Sequence, residues 1–444
     1  MSRSTLIPLI VCLLLLTSAA ESATLIVPDN YTSIESALLD AADGDTILVK
    51  PGTYPERIDF FGKAVTLRST DGAAVTIIDA GRAGSVVTFC TGEGAGSVIE
   101  GFTLTNGSAP RGGGVYCGAG VTARIVSNRI VANEASGTYG KGGGLFCYEA
   151  AAPVMANNLI AANSAYCGGG IYCKYAASPV LTNNTIVENT AAFGGGGIYC
   201  RQSAPIVYNT ILHGNEGPKG PEVILAHAAS LSISDSLVEG LQGGIHVYTG
   251  STLDWGSGMI DGDPLFVDPD QGDFHITWKS PCRNAGDLFA PEVAVADFEG
   301  QPRISEEAVD IGADEYYIED GGPYPFVDIK CNGQDRDVVL SQADKVTVTI
   351  EVKSHDYSGF PAEVWMMIVD ENNVPASYQN GRWWLGWCHP YHSGGLTDLS
   401  DTVTDGFLDP GTYRGWLAVD LTPNGQFNRP KLWYYDWCTL TVTP

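Results

Sequence analysis

Between residues 112 and 215 the apolar positions come in short runs that alternate with polar ones. None of these runs carries the 3.6-residue period of a helix. Gly-Ile-Tyr-Cys, Pro-Val-Leu-Thr-Asn and Asn-Thr-Ile-Val are typical, and Gly, Asn, Ser and Pro separate them. One six-residue string starts at Gly112, Gly142, Gly168 and Gly195, each time a Gly triplet, an aliphatic residue, an aromatic residue and Cys. A second string keeps step with it, at Asn128, Asn158, Asn184 and Asn209, and a further Asn follows each at Asn133, Asn163, Asn189 and Asn215. Self-similarity at such a period predicts a solenoid. Three short strands and three turns per repeat predict one coil of a right-handed parallel β-helix, each coil rising by about 4.8 Å, the interstrand distance.

Alternation within the Gly-rich strand predicts two faces. Val115, Leu145, Ile171 and Ile198 share the inner face with Cys117, Cys147, Cys173 and Cys200. Tyr116, Phe146, Tyr172 and Tyr199 point outward, with Tyr148, Lys174 and Arg201 following on the same side. Arg111 and Lys141 precede two of the triplets and fall next to each other between coils, while Cys167 and Gly194 occupy their place in the next two.

The triplet strings together with the Ile-x-x-Asn strings resemble the repeat of polymorphic outer-membrane proteins, which are adhesin-like surface chains. More broadly the unit is similar to the pectin-lyase-like β-helix superfamily, a resemblance that covers about residues 24–317. It implies the fold; for activity it implies only a choice among lyases, hydrolases, epimerases, tailspikes and binding proteins.

The flanks extend the architecture. Residues 33–42 form a short amphipathic helix with Thr32 as its expected N-cap, and residues 44–54 a strand and turn, together the cap and first coil of the solenoid. Residues 263–316 read as a closing segment, and a Gly/Pro hinge follows at 318–325. From 326 to 444 the repeat is gone. Strands at 346–352, 416–420 and 437–442 and a turn at 409–413 predict a C-terminal β-sandwich, so the fold class is all-β. Seven of the nine tryptophans lie there, most of them read as its core, with adjacent Trp383 and Trp384 facing opposite sides.

At the other end, Arg3, an apolar run over residues 6–16 and small residues 18–20 predict a signal peptide at 1–20, which implies a secreted or cell-surface location. That run is too short to span a bilayer, which needs about 20 apolar residues, and no later stretch is long enough. Ten cysteines remain after the leader, in a compartment that permits disulfides; free buried thiols are at least as plausible for the stacked four.

The chain has 444 residues, with 24 basic against 51 acidic, for a net charge of −27. Such a field repels nucleic acid and anionic membranes. The outward aromatics beside Lys174 and Arg201 define a candidate surface for an acidic polysaccharide or cell-surface glycan, with Arg111 and Lys141 adjoining it. The same rings also suit a ladder that stabilises only its own sheet. Catalytic residues are not evident. An enzyme reading, a lyase or epimerase first, would draw on Arg111, Lys141, Lys174 or Arg201, with Glu134 nearby; a hydrolase would need convergent carboxylates, and Glu134, Glu149 and Glu188 are the only acidic residues between 101 and 200. The acidic run Asp261, Asp263, Asp268, Asp270 and Asp273 makes Ca²⁺ the one candidate cofactor, although its spacing fits no regular calcium loop and turns explain it as well.

Overall fold

The structure is a computed structural model; it describes residues 22–304 and 308–316 in full, and beyond them the strand backbones between 326 and 443. The expected leader and hinge lie outside the described residues.

The body is a parallel β-solenoid built from the repeat. One coil runs from Leu145–Tyr148 through Val154–Ala156 and Leu159–Ala161 to Ser164–Cys167, and the Gly168 triplet returns the chain to Ile171–Lys174 one level up. Coil upon coil, the equivalent strands make a first sheet of eight strands, a second of ten, a third of eight and a short fourth of four. The register is the one the repeat predicts: Val115, Leu145, Ile171 and Ile198 stack in order, and so do the four cysteines. All eight side chains belong to the buried lumen, and the four thiols are free.

The Gly triplets are required by backbone approach. A Cβ on Gly169 would lie 2.6 Å from the Thr190 carbonyl oxygen and 2.7 Å from that of Gly196, where no atom fits. Gly168 in turn adopts φ +65°, in the left-handed region.

Two asparagine ladders run through the corners of the third sheet. Asn163 shows the rule: its Oδ1 accepts from the Asn133 backbone N–H at 2.9 Å and from Asn133 Nδ2 at 3.0 Å. Its own Nδ2 donates to the Ile130 carbonyl at 2.8 Å and to Asn189 Oδ1 at 3.0 Å. The corner amides, buried with no sheet partner, are thus satisfied by the coil above. Asn128, Asn158 and Asn184 make the parallel ladder, continued by Thr210 and Ser236. The other ladder ends differently, on Glu222, whose carboxyl accepts from Asn215 N and Nδ2. Burial pushes that carboxyl up to about 8.

The helical cap spans Ile34–Asp40, and its N-cap is Ser33, whose side chain accepts from Ser36 N at 3.1 Å; the expected Thr32 does not serve. Glu56 accepts from the N–H groups of Ile34 and Glu35, and the Lys63 ammonium donates to three carbonyls at the helix end. Charges from the first coils therefore hold both helix ends.

After the last coil, residues 262–316 turn back as a strap along the outside of the third sheet. Phe274, Ile276, Cys282 and Ile311 cover Leu159, Ala161, Val187, Ile211 and Leu237 in a second apolar core. Asparagines again fix it. Asn157, Asn183 and Asn209, each at positive φ one residue before an inward ladder position, face outward. They donate to the strap carbonyls of Ala296, Asp310 and Asp287 at 2.8, 3.0 and 2.9 Å. Arg303, 1% exposed, ties the strap together: it donates to the carbonyls of Gly312, Ala313 and Asp314 and to Asn157 Oδ1, with Glu315 at 3.5 Å.

In the C-terminal part strands at Thr347–Lys353, Gly411–Asp420 and Trp433–Thr443 overlap the expected ones. They pair in a three-stranded and a seven-stranded sheet, antiparallel except for Arg336–Ser341 beside Trp433–Thr443. The tryptophan side chains lie outside the described residues.

Two outcomes test these ladders. Asn163→Ala strands two buried Asn133 donors, so it should destabilise by about 3 kcal/mol in urea unfolding, at one to three per orphaned group. Glu222 holds its proton more tightly folded than unfolded, so its contribution is complete below the ordinary carboxylate pKa and is lost as pH rises toward about 8. The melting temperature of the natural protein should fall between pH 5 and pH 9, and Glu222→Gln should flatten that slope and melt higher at pH 9.

Candidate cationic strip on the first sheet

The outer face of the first sheet carries three columns of side chains. The middle one is aromatic: Tyr116, Phe146, Tyr172 and Tyr199 stack in register with ring centroids 5.8, 5.5 and 5.0 Å apart and planes within 15° of parallel. The rings face away from the lumen, as alternation predicts. Three of the four are not a platform for sugars. Phe146, Tyr172 and Tyr199 are 0, 1 and 7% exposed, packed in a third apolar core with Cys167, Ile224, Tyr166 and Phe193. The chain leading into the Gly168 and Gly195 triplets rises beside the column in the short fourth sheet and folds Tyr166 and Phe193 over the rings. Burial raises the Tyr172 hydroxyl far above its ordinary pKa and Tyr199 to about 12. Of the expected binding rings only Tyr116 and Tyr148 keep part of their surface.

Cations lie over and beside this floor. In one flanking column Arg111 pairs with Lys141, and Lys141 with Cys167, by backbone bridges, the adjacency expected from sequence. The Arg111 guanidinium sits 5.8 Å from the Phe146 ring centre and 5.9 Å from that of Tyr148. In the other column Tyr148, Lys174 and Arg201 stack. The Lys174 ammonium is 4.0 Å from the ring centre of Tyr175, and Arg201 lies against the Tyr172 hydroxyl with its Nε buried and without a hydrogen-bond partner. Further along, Lys219 lies 5.8 Å from the rings of Phe193 and Tyr248.

Among the described residues, none of Arg111, Lys141, Lys174, Arg201 and Lys219 forms a salt bridge. The local field is positive in consequence. Lys141 is held below the ordinary lysine pKa, chiefly by burial, which outweighs an upward pull from Cys167, with the charges of Lys174, Arg111 and Arg201 adding to the depression. Tyr175 is lowered by its hydrogen bond to Lys174 and by the same cations. Cys167, buried in their midst, is raised to about 11 by desolvation, which keeps it a thiol.

Three participants escaped the sequence reading: Lys219 and the exposed rings of Tyr139 and Tyr175, 66% and 39% accessible. A signal existed for one of them. Tyr139, Tyr166 and Phe193 each stand two or three residues before a Gly triplet, an aromatic repeat as regular as the inner strings.

The other candidates fall elsewhere. Glu134 is engaged by Arg82, and Glu149 is an exposed corner residue at positive φ. The acidic run is divided among separate turns: Asp261 accepts from Gly240 and Gly262 N, Asp263 from Leu265 N, and Asp273 pairs with His275. Among the described residues no group of three or more His, Cys, Asp or Glu is arranged to hold a metal ion, and no helix is long and apolar enough to cross a membrane.

Fold and face together define a parallel β-helix protein, a class that includes pectin-lyase-like enzymes and adhesin-like chains. In agreement, residues 64–254 match the family model described as a right handed beta helix region. No curated protein and no solved structure matches the chain significantly.

Tyr175 reports on the strip. In Lys174→Gln its phenol should titrate at higher pH than in the natural protein, as followed by ultraviolet difference absorbance against a Tyr175→Phe control.

Proposed function

We propose that this is an exported, extracellular or cell-surface protein that binds an acidic polysaccharide along the first sheet, with residues 326–444 as a β-sandwich accessory domain. The reading rests on one observation: in a chain of net charge −27, five cations gather on one face and, among the described residues, none of them forms a salt bridge. Clustering like charges over a buried floor costs stability, and a polyanion recovers that cost on binding. Arg111, Lys141, Lys174, Arg201 and Lys219 meet the acidic groups. The exposed rings of Tyr139 and Tyr175 at the rim, with the part-exposed Tyr116 and Tyr148, supply faces for sugar rings.

Elimination at the same face is the second reading, and the depressed pKa of Lys141 favours it. An amine that releases its proton more readily than an ordinary lysine, flanked by cations, suits removal of the proton next to a uronate carboxylate, with the flanking charges stabilising the carbanion that forms.

Titration of the mature protein with acidic and neutral polysaccharides, following retention together with absorbance from unsaturated products, tests both. Acidic chains should bind, with an affinity that falls as salt rises, and the Lys174→Gln/Arg201→Gln double variant should lose at least tenfold. Equal affinity for neutral chains would reject the proposal, and product absorbance abolished by Lys141→Gln would replace binding with catalysis.

A further inference from the structure

A separate cavity of about 260 Å³ opens on the opposite side of the coil, between the third sheet and the strap. Its solenoid wall includes Arg129 and Thr185, and its strap wall includes Asp273, His275, Phe298 and Asp314. The carbonyl clamps that hold the strap are made elsewhere by the asparagines and Arg303, and its apolar core reaches the cavity's edge through Leu159 and Phe274. The cavity is what remains where the two surfaces stand apart.

The cavity's charges are compensated within it. His275 pairs with Asp273 through Nδ1 and with Glu299 through Nε2 at 3.1 Å, so the imidazole is held well above its ordinary pKa, chiefly by Glu299 and against the pull of burial. Arg129 donates to the Gly272 carbonyl at 3.1 Å and keeps its remaining donors. Asp314, 7% exposed, accepts from Ile276 N at 2.9 Å, and burial raises its carboxyl to about 6. An anion would meet Asp273 and Asp314, and a cation would meet Arg129 and His275. A neutral ligand with several hydroxyl groups meets neither penalty, because each hydroxyl both donates to carboxylates and accepts from a guanidinium. Phe298, half-buried at the wall, offers an apolar face, whereas Phe274 is locked edge-on against Phe266 with centroids 5.3 Å apart. The volume suits one sugar ring.

From this lining we infer that the cavity between strap and solenoid is a second carbohydrate site, one that takes a single neutral pyranose, with Phe298 under the ring and Arg129, Asp273 and Asp314 on its hydroxyls. The site is independent of the cationic strip, and its ligand is uncharged where the strip's is acidic.

Saturation-transfer NMR on the mature full chain tests it, with a panel of neutral methyl pyranosides (gluco, galacto, manno and N-acetylgluco) and a methyl uronide for comparison. At least one neutral glycoside should receive saturation from the protein. Its affinity should fall at least tenfold in Arg129→Gln and in Phe298→Leu, and change in Asp314→Asn, which keeps the acceptor for Ile276 N; the melting temperature of each variant verifies folding. The Lys174→Gln/Arg201→Gln variant should bind the neutral glycoside as the natural protein does. Transfer to no neutral glycoside, or transfer that survives in all three folded cavity variants, would overturn the inference. So would a preference for the uronide that disappears with the strip variant, because the ligand would then sit on the first sheet. Loss of polysaccharide binding with neutral glycoside binding intact would refute the proposed function alone.

Discussion

Every coil of this protein must lie in register on the one below it, and the rest of the structure follows from that constraint. A parallel stack satisfies its strand amides automatically, but at corners the backbone leaves the sheet and its polar groups enter a dry interior. A side chain that both donates and accepts, repeated at the same place in each coil, is the economical answer, because each copy satisfies the one below. Asparagine meets the requirement: one oxygen takes two donors from the previous coil while the nitrogen reaches a carbonyl of that same coil and the next asparagine in the ladder. The requirement also explains why the ladders end in Ser236 and Glu222, since the top member has no successor and need only accept.

The same stacking made the lumen legible from sequence. Alternation assigned the aliphatic and cysteine columns inward and the aromatic column outward, and each adopts that direction. What alternation does not supply is what covers an outward face. Phe146 and Tyr172 face outward yet are buried, because the chain between one coil and the next carries Tyr166 and Phe193 across them. Direction from the lumen and exposure to water are separate properties, and only the first is encoded by a period of two.

The strap shows a second limit of local reading. In the pairs Asn157-Asn158 and Asn183-Asn184 the second residue belongs to the inner ladder, and the repeat announces it. The first is indistinguishable from a turn residue that tolerates positive φ. Its actual work, gripping a segment more than a hundred residues away in sequence, becomes visible only when residues 262–316 lie against the third sheet. The acidic run was legible as turns and carbonyl-rich loops, and the cavity behind it was not, because its walls come from two parts of the chain that share no pattern.

The cationic strip is where local economy fails, and that failure is informative. Elsewhere four basic residues pair with acids, Lys50 with Asp29, Arg68 with Glu100, Arg82 with Glu134 and Arg124 with Glu292, while Lys63 and Arg129 turn to backbone carbonyls instead. With more than two acids per base in the chain, five cations gathered on one face without a salt bridge among the described residues mean that acids are kept out of their reach there. The buried rings beneath them fit the same logic. Aromatic rings near Arg111 (Phe146 and Tyr148), Lys174 (Tyr175) and Lys219 (Phe193 and Tyr248) hold those cations at the surface without neutralising them. A carboxylate in the same position would have given more stability and left no field. The floor therefore trades stability for a charge that stays available to something outside the chain.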